Sequence, residues 1–533
     1  MRVAAQTYDF VVVGSGFGGS VAALRLSEKG YKVLVLEQGR WFRRPEDFPR
    51  SNWQLRRWIW LPWLGMKGIF RMTFFRHVAV LSGAGVGGGS LVYANTLPVP
   101  SAPFFRSGTW KDLCDWEREL APFYDLAKRM LGVTPHPYRS KSDEVMRSLA
   151  EDIGAGAAFR PAEVAVYFGR PGETVSDPYF GGLGPDRTGC NQCGGCMLGC
   201  RYNAKNTLDK NYLHLAQRLG CEIRAETTVH DIIPVGTDGG AGYIVRARKS
   251  GLVPRQETIR AGGVVVAAGV LGTLRLLLRL QRTSLPKLSH TLGRGVRTNS
   301  ESLVGVTSFD RRNSFSEGIA IGSIVRLDAH RHVEPVKYPA GSGFWRLFMA
   351  PMVEGRTFLA RLVNMAADLI RHPVPNLRTF LVDDWSRRTH ILLYMESLES
   401  TLRIKRSAWW GGLRSAVEKG KAPTAFNPPA RDIARRVGRL IRGKPMVMFT
   451  ETLFGIPTTA HILGGACMGA GPETGVIDRD NRVFHYQNLY ICDGSMISAN
   501  VGVNPSLTIT ALAERAMSRI PAKAAADVGE VGR

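Results

Sequence analysis

Residues 8–37, which read YDFVVVGSGFGGSVAALRLSEKGYKVLVLE, decide the fold. The apolar run at 10–13 has the composition of a buried parallel strand. A helical pattern over 19–29 and a second strand over 32–36 follow it. The turn between strand and helix has the spacing GxGxxG, at Gly14, Gly16 and Gly19. This order predicts a Rossmann-like, doubly wound α/β domain.

The same glycines, with the acidic residue beyond them, indicate a dinucleotide ligand. Glycine lets the backbone approach a pyrophosphate, which lies at the N-terminus of the helix. Glu37 ends the second strand, where a carboxylate can accept hydrogen bonds from ribose hydroxyls. We therefore predict that Gly14, Gly16, Gly19 and Glu37 bind the nucleotide half of a cofactor.

Two further segments predict contacts with the same ligand. Residues 83–95, GAGVGGGSLVYAN, form a glycine-rich turn that allows close approach to a planar or anionic group. Residues 264–278, VVVAAGVLGTLRLLL, predict another strand–glycine–helix junction. In the β-rich segment 223–235, Val229 falls where the backbone could contact an adenine.

The C-terminal part contains the residues with the chemistry of a catalytic site. HILGG begins at His461, ICDGSMISANVGVNPS covers 491–506, and the helical pattern LTITALAERAM follows. A histidine near neutral pKa can accept or orient a proton, and an asparagine amide can fix an oxygen without adding charge. We therefore pair His461 with Asn504 as a candidate active site completed by the C-terminal module.

The length, the net charge and the apolar runs of the chain limit the functions that it can have. A length of 533 residues predicts two to four domains. A net charge of +25 favours anionic partners, but no nucleic-acid-binding motif accompanies it, so nucleic acid is excluded. We find neither a signal peptide nor an apolar run long enough for a transmembrane helix. The prediction is a cytoplasmic protein that binds peripherally to the anionic inner face of the membrane.

Two segments are candidates for that membrane contact. In residues 50–80, tryptophans alternate with arginines and lysines, a pattern that suits a membrane–water interface, although packing on the core is favoured for most of the aromatics. Residues 355–371 are amphipathic. Their apolar face is predicted to face the core, with a lid or interfacial helix as the alternative. That face comprises Phe358, Leu359, Leu362, Val363, Ala366, Leu369 and Ile370.

A cysteine run precedes the middle of the chain. GCNQCGGCMLGC places Cys190, Cys193, Cys196 and Cys200 at the C-x2-C-x2-C-x3-C spacing of bacterial ferredoxins, but Arg201 replaces the usual proline. In ferredoxins the fourth cysteine serves a second cluster, so Cys221, Cys467 or Cys492 could complete a lone one. An iron–sulfur cluster, a zinc site and reduced thiols or a disulfide beside the cofactor all remain open.

Together these segments resemble the glucose–methanol–choline (GMC) family of flavin oxidoreductases, and within it the cholesterol oxidase branch. The resemblance rests on GSGFGGS with Glu37, on GVGGGSLVYAN, on VVVAAGVLGT, and on HILGG through GVNPSLTITALAERAM, in that order along the chain. It implies FAD in the doubly wound domain, and an α+β substrate domain with a mostly antiparallel sheet over the flavin ring.

The resemblance also implies a role for each motif. The ADP half of FAD would be held by Gly14, Gly16, Gly19 and Glu37, and the flavin would lie near Gly89. Asp493 and Gly494 would contact the ribityl and pyrophosphate region, while Asn504 and Pro505 approach the flavin ring. His461 and Asn504 resemble the active-site histidine of the family and its hydrogen-bonding partner.

The predicted reaction is oxidation of a hydrophobic secondary alcohol, such as a 3β-hydroxysterol, with oxygen as acceptor. The alternative is a membrane-associated dehydrogenase that passes electrons through an iron–sulfur cluster to another acceptor. Cholesterol oxidases also shift a double bond with a carboxylate. Glu301, Glu396 and Glu399 are candidates for that base by composition alone.

The predicted segments alternate between the two domains. Residues 5–100, 201–300 and 456–521 form the FAD-binding domain, with a Trp/Arg-rich insertion at 45–80. Residues 101–200, with the cysteine-rich loop, and 301–455 form the substrate domain, and 522–533 form a flexible tail.

Overall fold

The computed structural model describes residues 6–250, 254–398, 400–407, 411–420 and 422–524. In these residues the strands are β1 Gln6–Val13, β2 Val33–Leu36, β3 Trp60–Leu61, β4 Met66–Lys67, β5 Phe70–Phe74, β6 Ala79–Gly83, β7 Thr134–Pro135, β8 Phe159–Pro161, β9 Glu163–Val164, β10 Thr174–Val175, β11 Arg187–Thr188, β12 Glu222–Arg224, β13 Thr227–Pro234, β14 Tyr243–Lys249, β15 Arg255–Val266, β16 Ser302–Ser308, β17 Ser323–Arg326, β18 Arg331–Val336, β19 Met349–Pro351, β20 Thr389–Glu396, β21 Thr401–Arg406, β22 Leu413–Lys419, β23 Gly443–Met448, β24 Thr458–Thr459 and β25 Leu489–Ile491. The α-helices are α1 Phe17–Glu28, α2 Leu55–Trp58, α3 Ala102–Phe105, α4 Trp116–Met130, α5 Lys141–Asp152, α6 Tyr212–Arg218, α7 Val270–Leu280, α8 Phe358–Arg371, α9 Pro373–Leu381, α10 Trp385–Arg388, α11 Pro428–Leu440, α12 Phe449–Phe454 and α13 Ser506–Ser518.

The first sheet is the predicted doubly wound sheet. Its strands run in the order β12, β2, β1, β15, β14, β13, and β25 also pairs with β15. Strands β12, β2, β1, β15 and β25 are parallel, while β13 and β14 extend the sheet antiparallel. The valine-rich end of β1 and nearly all of α1 are buried, as expected for a strand and helix inside a parallel sheet. The α/β fold prediction is confirmed.

The second sheet is antiparallel throughout, as predicted for the substrate domain. It has seven strands in the order β19, β23, β16, β20, β18, β17, β8. Helices α5 and α11 pack on one face, through a core that includes Val304 and Leu392. Residues of the opposite face line a cavity against the first sheet, because successive side chains of a strand point to opposite faces.

The chain passes between the two sheets more than once. Residues 6–36, 222–266 and 489–491 all contribute strands to the first sheet. The domain boundaries given above remain a prediction. Most of the predicted tail, residues 525–533, lies outside the described residues.

Helix α8 corrects one expectation. Its apolar residues do not face the core: Leu359 is 66% exposed and Ile370 is 79% exposed. The polar side packs on the protein instead, because Arg361 is buried and donates hydrogen bonds to the carbonyls of Leu453 and Gly355. The favoured core-facing interpretation is therefore wrong for this helix.

The Trp/Arg-rich stretch divides between core and surface. Trp58 and Trp60 are buried, and Trp58 stacks on Phe70 with ring centroids 5.0 Å apart. Trp53 and Trp63 are exposed. Packing on the core thus accounts for only some of these aromatics. Among the described residues, no helix has both the length and the apolar character needed to cross a bilayer.

Candidate active site

The predicted cofactor residues meet at one edge of the first sheet. The register aligns Val13 of β1 with Leu36 of β2 and with Val266 of β15, and Val266 with Ile491 of β25. Because these strands are parallel, the loops that follow them open on the same side. These strand ends are followed by Gly14, Glu37, the glycine junction at 267–269 and, one residue further on, Asp493–Gly494.

A cleft of about 1030 Å³ lies at this edge, lined by Gly14, Gly16, Glu37, Gly89 and Val229 among others. A Cβ built on Gly16 would have no atom within 4 Å, so the glycine borders open space where a pyrophosphate fits. Gly14 has φ +100° and a Cβ there would stand 2.3 Å from the carbonyl oxygen of Ala267. Both positions require glycine, one for the ligand and one for the backbone.

Gly19 has a different role from the other two. A Cβ there would stand 2.1 Å from the carbonyl oxygen of Gly14, so this glycine lets α1 pack closely on the turn. It does not line either of the two cavities at this site. This is the helix–strand packing role that the third glycine of such a motif has.

Glu37 is buried at the nucleotide end of the cleft. Its carboxylate accepts hydrogen bonds from the backbone N–H of Ser15 (3.1 Å), the Ser15 hydroxyl (2.8 Å) and the backbone N–H of Gly39 (2.8 Å). Burial raises the pKa of Glu37, although these donors act in the opposite direction. The carboxylate is thus held rigidly where ribose hydroxyls can donate to it.

A second cavity, of about 290 Å³, lies against the first and shares Gly16, Gly89 and Gly269 with it. It is lined by Asp493, Gly494, Asn504, Pro505, His461 and Glu301, and by apolar residues of the second sheet. One elongated site therefore runs from Glu37 to His461. All of the predicted cofactor residues except Gly19 border it.

Asp493 is held by neighbouring hydroxyls and backbone. It accepts hydrogen bonds from the Ser495 backbone N–H (2.8 Å) and from the hydroxyls of Ser495 and Thr273 (both 2.5 Å). Burial raises the pKa of Asp493 against these donors. The fixed carboxylate borders the second cavity, and its contact with the ribityl region of a flavin cofactor stays a prediction.

His461 forms a buried pair with Glu301. Its Nδ1 is hydrogen-bonded to one carboxylate oxygen, and the other oxygen accepts the backbone N–H of Ala460 at 2.8 Å. The backbone N–H of His461 donates to the hydroxyl of Thr459 at 3.0 Å. Burial alone would lower the pKa of His461, but the negative charges of Glu301 and Glu334 outweigh it and raise that pKa above 6.5.

Asn504 is linked to Glu334, a residue that sequence reasoning missed. The Asn504 amide donates to Glu334 at 3.3 Å, and Glu334 is fully buried. His332 Nε2 lies 3.3 Å from the other Glu334 oxygen. Glu334 and Val336 are two residues apart on β18, so they share the face that lines the cavity. The sequence signal was weak, because an acid in HVEPV has no motif around it.

The three carboxylates considered as the isomerisation base, Glu301, Glu396 and Glu399, lie in different places. Glu301 is the partner of His461 rather than a free base. Glu396 accepts a hydrogen bond from Asn427 at 3.2 Å. Glu399 lies outside the described residues.

The four clustered cysteines line a separate cavity beside this site. In the described part of the chain, no group of three or more His, Cys, Asp or Glu residues could hold a single metal ion. The zinc alternative therefore gains no support. Cys221, Cys467 and Cys492, the alternative fourth ligands, are buried elsewhere.

The comparisons with known proteins agree with this geometry. A family model described as FAD dependent oxidoreductase matches residues 9–304, and one described as GMC oxidoreductase matches residues 412–513. The fold and the elongated site thus define an FAD-dependent oxidoreductase, with FAD as the cofactor.

Closer relatives narrow the assignment. The chain is 44% identical to a cholesterol oxidase of Acinetobacter baumannii, over 98% of this chain and 96% of that protein. It is 43% identical to a cholesterol oxidase of Mycobacterium tuberculosis, over 98% of this chain and 92% of that protein. The chain therefore belongs to the GMC oxidoreductase family, in the branch that contains these cholesterol oxidases.

A solved structure supports the fold. The crystal structure of pyridoxine 4-oxidase from Mesorbium loti matches with a TM-score of 0.61 and 15% sequence identity, covering 96% of this chain and 98% of that one. At that identity the likeness bears on the fold alone.

Proposed function

We propose that the protein oxidises the hydroxyl of a 3β-hydroxysterol such as cholesterol to the ketone, with oxygen as the final acceptor and hydrogen peroxide as the product. The observation that carries this proposal is the His461–Glu301 pair, which faces an apolar cavity at the flavin end of the cofactor site. The names of the two cholesterol oxidases to which the chain is similar support the choice of substrate.

His461 acts as the proton acceptor in this reaction. Glu301 holds Nδ1, so Nε2 is the ring nitrogen left for the substrate hydroxyl. Asn504 orients the substrate oxygen, and Glu334 fixes the Asn504 amide. FAD, held by the residues that line the elongated site, would supply the hydride acceptor. With the hydroxyl proton taken up by His461, loss of a hydride from the carbinol carbon would leave the ketone.

The cavity wall suits a bulky hydrocarbon. Apolar side chains from the second sheet, from β5 and β6, and from two loops line the cavity, namely Leu303, Val336, Leu393, Phe70, Leu81, Met197 and Ile321. Burying an apolar ring system against such a wall contributes about 25 cal/mol for each Å² removed from water. A small polar alcohol would gain little of this energy.

The test is hydrogen peroxide production from cholesterol by the purified FAD-loaded enzyme. We expect turnover that falls about 100-fold or more in His461→Ala, because general base catalysis is lost. The variant should retain FAD, as judged by its flavin absorbance. An FAD-loaded wild-type enzyme without activity on any 3β-hydroxysterol would contradict the substrate assignment.

We also propose that the enzyme shifts the sterol double bond, with Glu334 as the base. Glu334 is the buried carboxylate beside Asn504, and its strand face borders the cavity. In Glu334→Gln we expect oxidation to continue while the unconjugated ketone accumulates, which product chromatography would detect. Conjugated ketone formed at the wild-type rate would exclude Glu334 from this role.

Peripheral binding to an anionic membrane face is a third part of the proposal. Helices α8 and α9 expose a continuous set of apolar side chains: Phe358, Leu359, Leu362, Val363, Leu369, Ile370, Val374, Leu377 and Leu381. Exposed arginines lie at the ends of α8 and on α9, at positions 356, 371 and 378. Apolar side chains edged by cations suit insertion among anionic lipids.

The polar side of α8 anchors this surface to the protein. Asn364 donates to the carbonyl of Glu354 at 2.7 Å, and Asp368 pairs with Lys444 at 2.7 Å. Phe358 stacks on Phe454 of α12, with ring centroids 5.9 Å apart. Along the chain, helix α12 leads through β24 to His461.

Vesicle sedimentation tests the membrane proposal. Leu359→Glu combined with Ile370→Glu should reduce binding to vesicles that contain anionic lipid about tenfold or more, because charge replaces buried apolar area. Leu183→Glu with Leu219→Glu is the control, since both leucines are 53% exposed elsewhere on the surface. Turnover of detergent-dispersed substrate should be equal in both variants. Equal vesicle binding by the two double variants would contradict this surface. Loss of a dimer in the variant changed at Leu359 and Ile370, in place of a loss of vesicle binding, would also contradict it.

A further inference from the structure

Cys190, Cys193, Cys196 and Cys200 converge on one cavity of about 430 Å³. The ferredoxin spacing predicted that the fourth cysteine would serve another cluster. The structure brings Cys200 to the same cavity as the other three, and all four are free thiols. Four thiolates around one cavity are the complete ligand set of an iron–sulfur cluster.

Each of the four sulfurs faces a backbone N–H. The Gln192 N–H donates to Cys190 Sγ and the Ala204 N–H donates to Cys200 Sγ, both at 3.4 Å. The N–H groups of Gly195 and Ala320 face the sulfurs of Cys193 and Cys196. Such N–H donors to ligand sulfur orient the ligands of a cluster and tune its potential.

Glycines shape the loop so that the sulfurs can point inward. Gly194 has φ +70°, and a Cβ there would stand 2.1 Å from the carbonyl oxygen of Ser316. Gly199 has φ +82°, and its Cβ would stand 2.1 Å from the ring of Phe48. A side chain at either position would displace the loop. The conformation is thus fixed by the tertiary packing around it.

Two basic side chains are buried beside the cysteine loop. Lys205 is 1% exposed and donates to the carbonyls of Leu91 (3.1 Å), Tyr93 (2.9 Å) and Cys196 (2.7 Å). Arg187, also 1% exposed, donates to the carbonyls of Asn203 and Lys205. In these contacts both side chains meet carbonyl oxygens, and a cluster held by four thiolates would place negative charge beside them.

We propose that Cys190, Cys193, Cys196 and Cys200 bind one iron–sulfur cluster beside the FAD site. In a cluster of four irons each iron takes a single protein thiolate, so the four cysteines need not converge on one ion. Lys205 ties the loop to the second glycine-rich turn, and Met197 of the loop lines the active-site cavity. The inference is independent of the sterol substrate.

The experiment is metal and sulfide analysis of the full-length FAD-loaded protein, purified without oxygen. We expect about four iron and about four acid-labile sulfide per chain, and an electron paramagnetic resonance signal after dithionite reduction. Cys193→Ser and Cys196→Ser should each lower the iron content about tenfold, whereas the FAD content stays at the wild-type level.

Cys221→Ser and Cys467→Ser are matched controls, because these thiols lie outside the cavity. Both should keep wild-type iron. The proposal is overturned if the wild-type protein stays free of iron after anaerobic purification and after reconstitution with ferrous iron and sulfide. Zinc in place of iron, a disulfide in the loop, or iron that survives both loop substitutions would also overturn it.

Discussion

At the residue scale, a sequence pattern identified His461, but only the fold identified Glu301 as its partner. HILGG singled out His461, but Glu301 lies 160 positions earlier in the chain and was considered only as an isomerisation base. Strand β16 begins next to Glu301 and carries it to the histidine. The carboxylate sets the tautomer of the ring and raises its pKa, and neither effect can be inferred from a motif.

The pH profile tests the charge of Glu301. His461 must be neutral to accept a proton, so kcat/KM should fall as the pH drops through its pKa, which Glu301 raises above the ordinary histidine value. Glu301→Gln removes the negative charge, lowers the histidine pKa, and should move this acid limb by about one pH unit or more toward lower pH. Turnover should also fall about tenfold, because the ring loses its orienting partner.

Glu396→Gln is the control for this prediction. Glu396 carries the same charge on the neighbouring strand β20, but it is paired with Asn427 rather than with His461. In Glu396→Gln, the acid limb of the kcat/KM profile should match that of the wild type. An unchanged limb in Glu301→Gln would mean that Glu301 does not set the protonation of His461.

At the element scale, helices α1 and α13 are joined by a buried ion pair. Arg25 donates through Nε and Nη2 to the two carboxylate oxygens of Glu514, at 2.7 and 2.9 Å. Tyr212 of α6 donates to the same carboxylate at 2.7 Å. Helix α1 begins at the GxGxxG turn and α13 begins after Asn504–Pro505. The contact therefore fixes the two ends of the cofactor site relative to each other.

Glu514→Gln should destabilise the fold by about 3 kcal/mol, because Arg25 loses its buried counter-charge. Glu28→Gln removes the other carboxylate bound by Arg25, but Glu28 is 41% exposed, so the expected loss is below about 1 kcal/mol. Urea unfolding of both variants gives the comparison. Equal midpoints would contradict a stabilising role for the buried pair.

For helix α8, the sequence pattern predicted the helix but not its orientation on the protein. The amphipathic pattern predicted the helix itself, and the helix is present over Phe358–Arg371. The pattern did not determine which face packs inward. Arg361 and Asp368 find polar partners in the Leu453 carbonyl and in Lys444, and the apolar face is left outside.

At the scale of the whole molecule, the cofactor site is assembled from distant parts of the sequence. Gly16, Gly269 and Asp493 lie on three separate segments, and all border the same cavity. A bound ligand that contacts all three segments stabilises the folded state by mass action. Folding stability and FAD binding are therefore linked.

Gly16→Val tests this link. The added side chain would fill the open space of the cleft, because a Cβ at Gly16 has no atom within 4 Å. We expect a folded protein without FAD, whose melting temperature does not change with added FAD. Gly471→Val is the control, since Gly471 also borders open space but not the cleft. In the control, stability should rise by about 1.4 kcal/mol for each tenfold increase in FAD above Kd.

The sequence by itself determined the nucleotide-binding turn, because that turn depends on local geometry, and the resemblance of several short segments to one family indicated FAD. The catalytic roles of His461 and Asn504 stay predictions. Tertiary structure alone decided the partners of those residues. Glu301 and Glu334, at strands β16 and β18 of the second sheet, meet His461 and Asn504 of the C-terminal segment, Cys200 joins the other three cysteines, and α8 exposes its apolar face. These outcomes depend on contacts between residues far apart in the chain, where a local pattern carries no information about distance or burial.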